Sequence, residues 1–196
     1  MSFLRSVKYR VVRLLERLLD RIGASQIHIN GKSFRAPRFA ELRVEITEPW
    51  MTELLRQLFG GRQGLFVDVG VNLGQTLLKV KSVEPQRPYV GFEPNPVCVH
   101  YSERLAKSNQ ISGCTIVPVA LAGHTGLLTL SLYNDSDADA SGSVVPGFRD
   151  PSTVRSSVVV PAFNFDEIRG VLNDQQIAFV KIDVEGAELD VLQSLG

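Results

Sequence analysis

The run Leu65-Phe66-Val67-Asp68-Val69-Gly70-Val71-Asn72-Leu73-Gly74 constrains the fold more than any other part of the chain. Five residues, apolar except for one acid, have the character of a buried strand; glycines then break the chain into a turn ahead of a helical stretch at 75–83. The same unit recurs, with a strand at 89–93, a helix at 95–108 and a third strand at 115–121. A βαβαβ order of this kind implies a parallel sheet with right-handed crossovers. Pro118 falls inside the third strand, where it cannot donate to a ladder and marks an edge or a bulge.

Around this nucleus the pattern continues in both directions. Upstream, Asn30-Gly31 sits between two short extended runs and predicts a hairpin turn, because both central positions of such a turn need positive φ. A helix at 50–59 ends on Gly60-Gly61. Downstream, strands at 127–133 and 157–163 flank a polar loop at 134–156, and Asn164 caps a short helix at 165–172. A fourth main strand at 178–183 leads into a helix at 187–195. The expected division is an N-terminal part, 1–60, carrying a helix, the hairpin and a lead-in helix, and an α/β core, 61–196.

Lysine plus arginine balance aspartate plus glutamate at 21 each, so bulk charge gives no reason to expect a nucleic-acid partner. The charge is local instead. Leu4, Val7, Val11, Leu14, Leu15, Leu18 and Ile22 recur at helical spacing, interleaved with Arg5, Lys8, Arg10, Arg13, Arg17 and Arg21. Such a basic amphipathic stripe over 1–22 suits either the cover of its own domain or peripheral contact with an anionic membrane surface. Cys98 and Cys114 form neither a disulfide framework nor a CxxC, and His28, His100 and His124 lack metal-ligand spacing. A reducing, cytoplasmic setting without a bound metal is therefore expected.

The candidate chemistry lies where the strands end. Gly70 and Gly74 let the backbone turn sharply and let a ligand come close, so Asp68, Gly70, Asn72 and Gly74 are expected to form a cofactor ledge beyond the first strand. The pattern is D-x-G-x-N-x-G and not G-x-G-x-x-G. An acid at that strand end would repel a diphosphate and suits a ligand with an ammonium group and no phosphate, such as S-adenosylmethionine. Glu93 ends the second strand at the separation where such folds place the carboxylate that accepts from ribose hydroxyls. Lys181-Ile-Asp-Val-Glu-Gly-Ala-Glu188 closes the fourth strand and places Asp183 and Glu185 where an acceptor could be oriented or deprotonated. His124 is a weaker candidate base. Glu188 fits the complement of a helix dipole.

FVDVGVNLG, GFEPNP, FNFDEI and above all FVKIDVEGAE, in this order and preceded by EPWMTELL, resemble the successive motifs of the FkbM methyltransferases over residues 48–196. The resemblance implies a Rossmann-like class I methyltransferase fold with a mostly parallel sheet. It also implies S-adenosylmethionine as donor and a hydroxyl acceptor on a sugar, a lipid or a secondary metabolite. Val71 departs from the alanine general in that family.

Two other readings share parts of this pattern. A nicotinamide-dependent oxidoreductase would share the βαβ start and the ribose acid but wants the missing glycines. A non-catalytic cofactor-binding or membrane-associated module would fit the basic stripe. The resemblance further implies three strands beyond the helix that starts near Ala187, whereas the sequence stops at Gly196. The strand at 178–183, nearly all apolar on both faces, is thus expected to be a sheet edge, in a chain that is a fragment of a longer protein or depends on a partner and that is poorly active or self-associating on its own.

Overall fold

The computed structural model describes residues 25–39 and 42–195; the basic stripe at 1–22 lies outside them. Asn30 and Gly31, at φ +51° and +72°, turn β1 (Ser25–Ile29) into its antiparallel partner β2 (Lys32–Ala36). Ile29, Phe34 and Ala36 of the hairpin pack with Val44 onto Leu78, Tyr101 and Leu105, and the Tyr101 hydroxyl accepts the Val44 N–H at 3.0 Å. The hairpin is thereby fastened to the helices of the α/β core. Next comes α1 (Trp50–Phe59), which runs from Pro49 to Gly60.

The main sheet is built from β3 (Leu65–Val69), α2 (Gln75–Val83), β4 (Tyr89–Phe92), α3 (Pro96–Ser108) and β5 (Cys114–Val117), with a last strand added from far along the chain. Every residue of β3 is buried, as a strand covered on both faces must be. Leu65, Val67 and Val69 point to one face with Val90 and Phe92, where they meet Phe165, Leu172 and Val191. Phe66 and Tyr89 point to the other and meet Leu55, Phe59, Leu77 and Val80 of α1 and α2. Each such side chain contributes about 1.5–3 kcal/mol on burial, and a slip of one residue would drive Asp68 into the first face, so the register is strongly fixed.

The strand expected at 115–121 is divided. Pro118 ends the ladder after Val117, the Val119 N–H turns back onto the Val117 carbonyl at 2.9 Å, and Ala120–Leu121 (β6) joins a different sheet. That sheet has the order β6-β8-β7, in which β7 (Gly126–Leu132) runs antiparallel to β8 (Ser156–Phe163) and β6 parallel to it. The intervening loop carries structure of its own: a bridge between Ser131 and Ser143 and a 3₁₀ turn at Pro151–Thr153.

Asn164 caps α4 (Phe165–Ile168) by accepting the Asp166 N–H, and a 3₁₀ turn at Arg169–Leu172 completes the expected short helix. The chain then enters β9 (Ile177–Ile182) and α5 (Glu188–Leu195). The main sheet has the order β5-β4-β3-β9, parallel throughout. Among the described residues its strand β9 pairs with β3 alone, at the sheet edge anticipated for 178–183.

Candidate functional site

Beyond the carboxyl ends of β3, β4 and β9 lies a cavity of about 460 Å³, within the usual range for small-molecule sites. The turn after β3, the turn after β4, the segment 43–48, the second sheet and the turn after β9 all contribute to its walls. Open α/β sheets bind ligands at this end because successive strands and their turns diverge there.

Glu93 ties two of these walls together. Its Oε2 accepts the Asn72 N–H at 2.7 Å and its Oε1 accepts the Asn95 N–H at 2.9 Å, so the two strand-end turns share one carboxylate. Burial pushes the Glu93 pKa up to about 7, against the opposing pull of these backbone donors. Asn72 itself sits at φ +48°, a conformation asparagine tolerates by local hydrogen bonding; its Oδ1 accepts the Leu73 N–H at 2.6 Å. Gly70, at φ +88°, is obligatory: a Cβ there would lie 2.0 Å from the Asp183 carbonyl oxygen.

Of the expected site residues, Gly70, Asn72, Glu93, Asp183 and Glu185 line the cavity. Asp68 and Gly74 do not. Gly74 caps α2 from beneath, where an added Cβ would strike Leu105. Asp68 is fully buried on the face of Phe66 and Tyr89, because its side chain alternates with Val67 and Val69. Its Oδ2 accepts the Tyr89 hydroxyl, and its Oδ1 lies 3.1 Å from Lys181 Nζ. Burial drives both the Asp68 and the Tyr89 pKa upward. His124 stands on an exposed turn outside the cavity.

Sequence reasoning passed over Lys181, which lines the cavity and connects its parts. Its Nζ donates to the Gly70 carbonyl at 3.0 Å and stands 3.4 Å from Asp183 Oδ2 as well as beside Asp68. Burial pulls its pKa down, but Asp68 and Asp183 outweigh that and hold the amine charged. The available signal was a single lysine in an otherwise apolar strand, at the position paired with Asp68.

Segment 43–48 and the polar loop complete the site. Buried Lys79 reaches Glu48 Oε2 at 3.4 Å and also holds Gln75, clasping that segment to α2. Asp139 accepts from the backbone N–H groups of Tyr133, Asn134 and Ser141; these and the Ser141 hydroxyl depress its pKa despite partial burial. Among the described residues no group of three or more His, Cys, Asp or Glu is placed to hold a metal, and no helix is long and apolar enough to cross a membrane.

A parallel sheet with a cavity at its carboxyl end and a buried acid just after its second strand has the layout of an α/β domain whose strand ends can hold a ligand. The family model of the Methyltransferase FkbM domain matches residues 68–196, and the chain belongs to that family. Among curated relatives it is similar to Methyltransferase sdnD of Sordaria araneosa, with 27% identity covering 66% of this chain and 59% of the relative. Methyltransferase 1 of Beauveria bassiana is 28% identical, over 66% of this chain and 57% of that protein. The chain thus spans somewhat more than half the length of these relatives. A SAM-dependent methyltransferase from Agrobacterium tumefaciens aligns in structure with a TM-score of 0.39 and 9% identity, over 49% of this chain and 32% of that one.

Proposed function

We propose that the cavity binds S-adenosylmethionine and that the chain serves transfer of its methyl group to an acceptor hydroxyl. The observation that carries this reading is the charge of the cavity wall. Even with Glu48 and Glu185 paired to Lys79 and Arg149, Glu45, Glu93, Asp139 and Asp183 outnumber Arg43 and Lys181, a lining that favours a cationic ligand without phosphate over a dinucleotide. The carboxylate of Glu93 supports it further. Each of its oxygens accepts one backbone N–H and keeps a second lone pair for a ribose hydroxyl.

The donor supplies an electrophilic methyl on a sulfonium, and the residues of the chain position and deprotonate the acceptor. Gly70 and Asn72 present backbone to the donor at close range. Asp183 reaches the cavity with its carboxylate largely exposed, next to Lys181, and so can accept a hydrogen bond from an acceptor hydroxyl and take its proton; the O–C bond would form as the S–CH3 bond breaks, with the donor leaving as a neutral thioether. Glu185 is the second candidate, but Arg149 at 3.3 Å competes for its carboxylate.

Calorimetric titration with S-adenosylhomocysteine and, separately, with NAD tests the donor reading. Saturable binding of the first and none of the second is expected, and the reverse would refute it. Transfer of a labelled methyl to a panel of sugars, lipids and hydroxylated metabolites tests the acceptor class. Release of the label as methanol under mild base, the mark of a methyl ester, or its recovery on nitrogen, would exclude hydroxyl oxygen.

A further inference from the structure

We propose that Lys181 is a positioning residue of the donor site, holding the Gly70 turn and the Asp183 carboxylate in place through one ammonium group. This rests on the reading that the cavity takes S-adenosylmethionine. Three observations carry it. Lys181 Nζ lies 3.0 Å from the Gly70 carbonyl, 3.1 Å from Asp68 and 3.4 Å from Asp183, so a single cation joins the turns after two adjacent strands. Those turns are also in steric register, since the backbone of Gly70 approaches the Asp183 carbonyl too closely for any side chain.

The third observation is the position of Asp68. It is fully buried, Tyr89 occupies one of its oxygens, and the other has the Lys181 ion pair but no aligned hydrogen bond. Asp68 therefore anchors the charge of the amine from the buried side, while the amine donates to the Gly70 carbonyl and pairs with Asp183 at the cavity. Without the amine, buried Asp68 and the largely exposed Asp183 carboxylate would be left on neighbouring strands with no cation between them. Asp183 would swing outward and the Gly70 turn would lose the donor that fixes its carbonyl.

A simpler role must be separated from this one: Lys181 could matter only as the counter-charge of buried Asp68. The variants Lys181→Met and Asp68→Asn/Lys181→Met distinguish the two. Loss of the lysine alone strands a buried acid and lowers the Tm. Neutralising Asp68 in the same chain removes that charge and is expected to recover most of the Tm. If Lys181 positions the donor site, affinity for S-adenosylhomocysteine in calorimetry stays down by about tenfold or more in the double variant, the size of one charge-assisted hydrogen bond. Wild-type affinity in the refolded double variant would overturn the positioning role and leave the donor reading intact. Failure of the unaltered chain to bind S-adenosylhomocysteine at all would overturn both.

Discussion

The backbone N–H of Asn72 donates to Glu93 Oε2 at 2.7 Å, so the residue that would meet the donor's ribose also fastens the turn that would meet the rest of the donor. Glu93→Ala should therefore act twice. It removes a charge-assisted acceptor and leaves the Asn72 and Asn95 donors unpaired at the cavity wall, for a loss of about 1.5–3 kcal/mol in S-adenosylhomocysteine binding. Calorimetry on both proteins checks this; unchanged affinity would remove Glu93 from the site.

The same carboxylate sets a pH dependence. With a folded pKa of about 7 against an ordinary 4.5, Glu93 binds a proton in the folded chain where the unfolded chain has released it. Stability from this group is thus fully present below the ordinary value and is lost as pH rises through the folded one. Donor affinity should run the other way, rising through neutral pH as the carboxylate forms to accept ribose hydroxyls. Glu93→Gln is expected to flatten both slopes, as measured by urea unfolding and by calorimetry between about pH 5 and 8.

Gly70 and Gly31 make a matched pair. Both have positive φ, but an added Cβ at Gly70 meets the Asp183 carbonyl oxygen at 2.0 Å, whereas at Gly31 nothing lies within 4 Å. A carbonyl in the backbone cannot rotate aside. Gly70→Ala should cost roughly 3–5 kcal/mol from overpacking and backbone strain together. Gly31→Ala should cost about 1–2 kcal/mol from the left-handed conformation alone. Urea denaturation gives both numbers, and equal costs would mean that the two turns after β3 and β9 separate more readily than their contact suggests.

The β3 and α2 boundaries were legible because five apolar-flanked residues and two glycines leave few alternatives, and Asn164 caps as expected; Asn95, expected as the first helical residue, instead caps a helix that starts at Pro96. What the sequence concealed was partnership. Pro118 signals a break in the run at 115–121, but nothing local says that Ala120 beyond it pairs with β8 and not with β4. Asp68 shows the same limit. Its place at a strand end suggested a ligand, while the alternation of β3 turns it to the helix-covered face and gives it Tyr89 and Lys181. Lys181 becomes informative only once β9 is known to lie beside β3.

The loop at 134–156 is latched to the turn after β9. Phe148 packs where a Cβ on Gly186 would stand, the Ser143 hydroxyl donates to the Glu185 carbonyl at 2.7 Å, and Arg149 pairs with Glu185 at 3.3 Å. The exposed ion pair contributes little, so the ring and the hydroxyl carry the latch. Phe148→Ala should speed amide exchange across 143–149 while leaving S-adenosylhomocysteine affinity within about threefold, well under the tenfold of 1.4 kcal/mol. A larger loss of affinity would show that this loop helps to hold the donor.

The open side of β9 gives the final prediction. Val180 is 40% exposed on this strand although its partner Val67 is fully buried, and on α5 Leu189 and Leu192 are 66% and 56% exposed. Among the described residues this edge has no partner strand, and an unpaired apolar edge offers both ladder hydrogen bonds and a dry contact to another chain; natural sheets often block such edges with lysine. The 196-residue chain should therefore associate with rising concentration. Val180→Lys should suppress this without unfolding the domain, because a lysine stem can lie along the edge while its amine reaches solvent. Light scattering over about a tenfold dilution, with a Tm for each protein, checks both parts. A wild-type chain that stays monomeric throughout would show that the β9 edge is protected in solution, and a variant that associates as strongly would place the contact elsewhere.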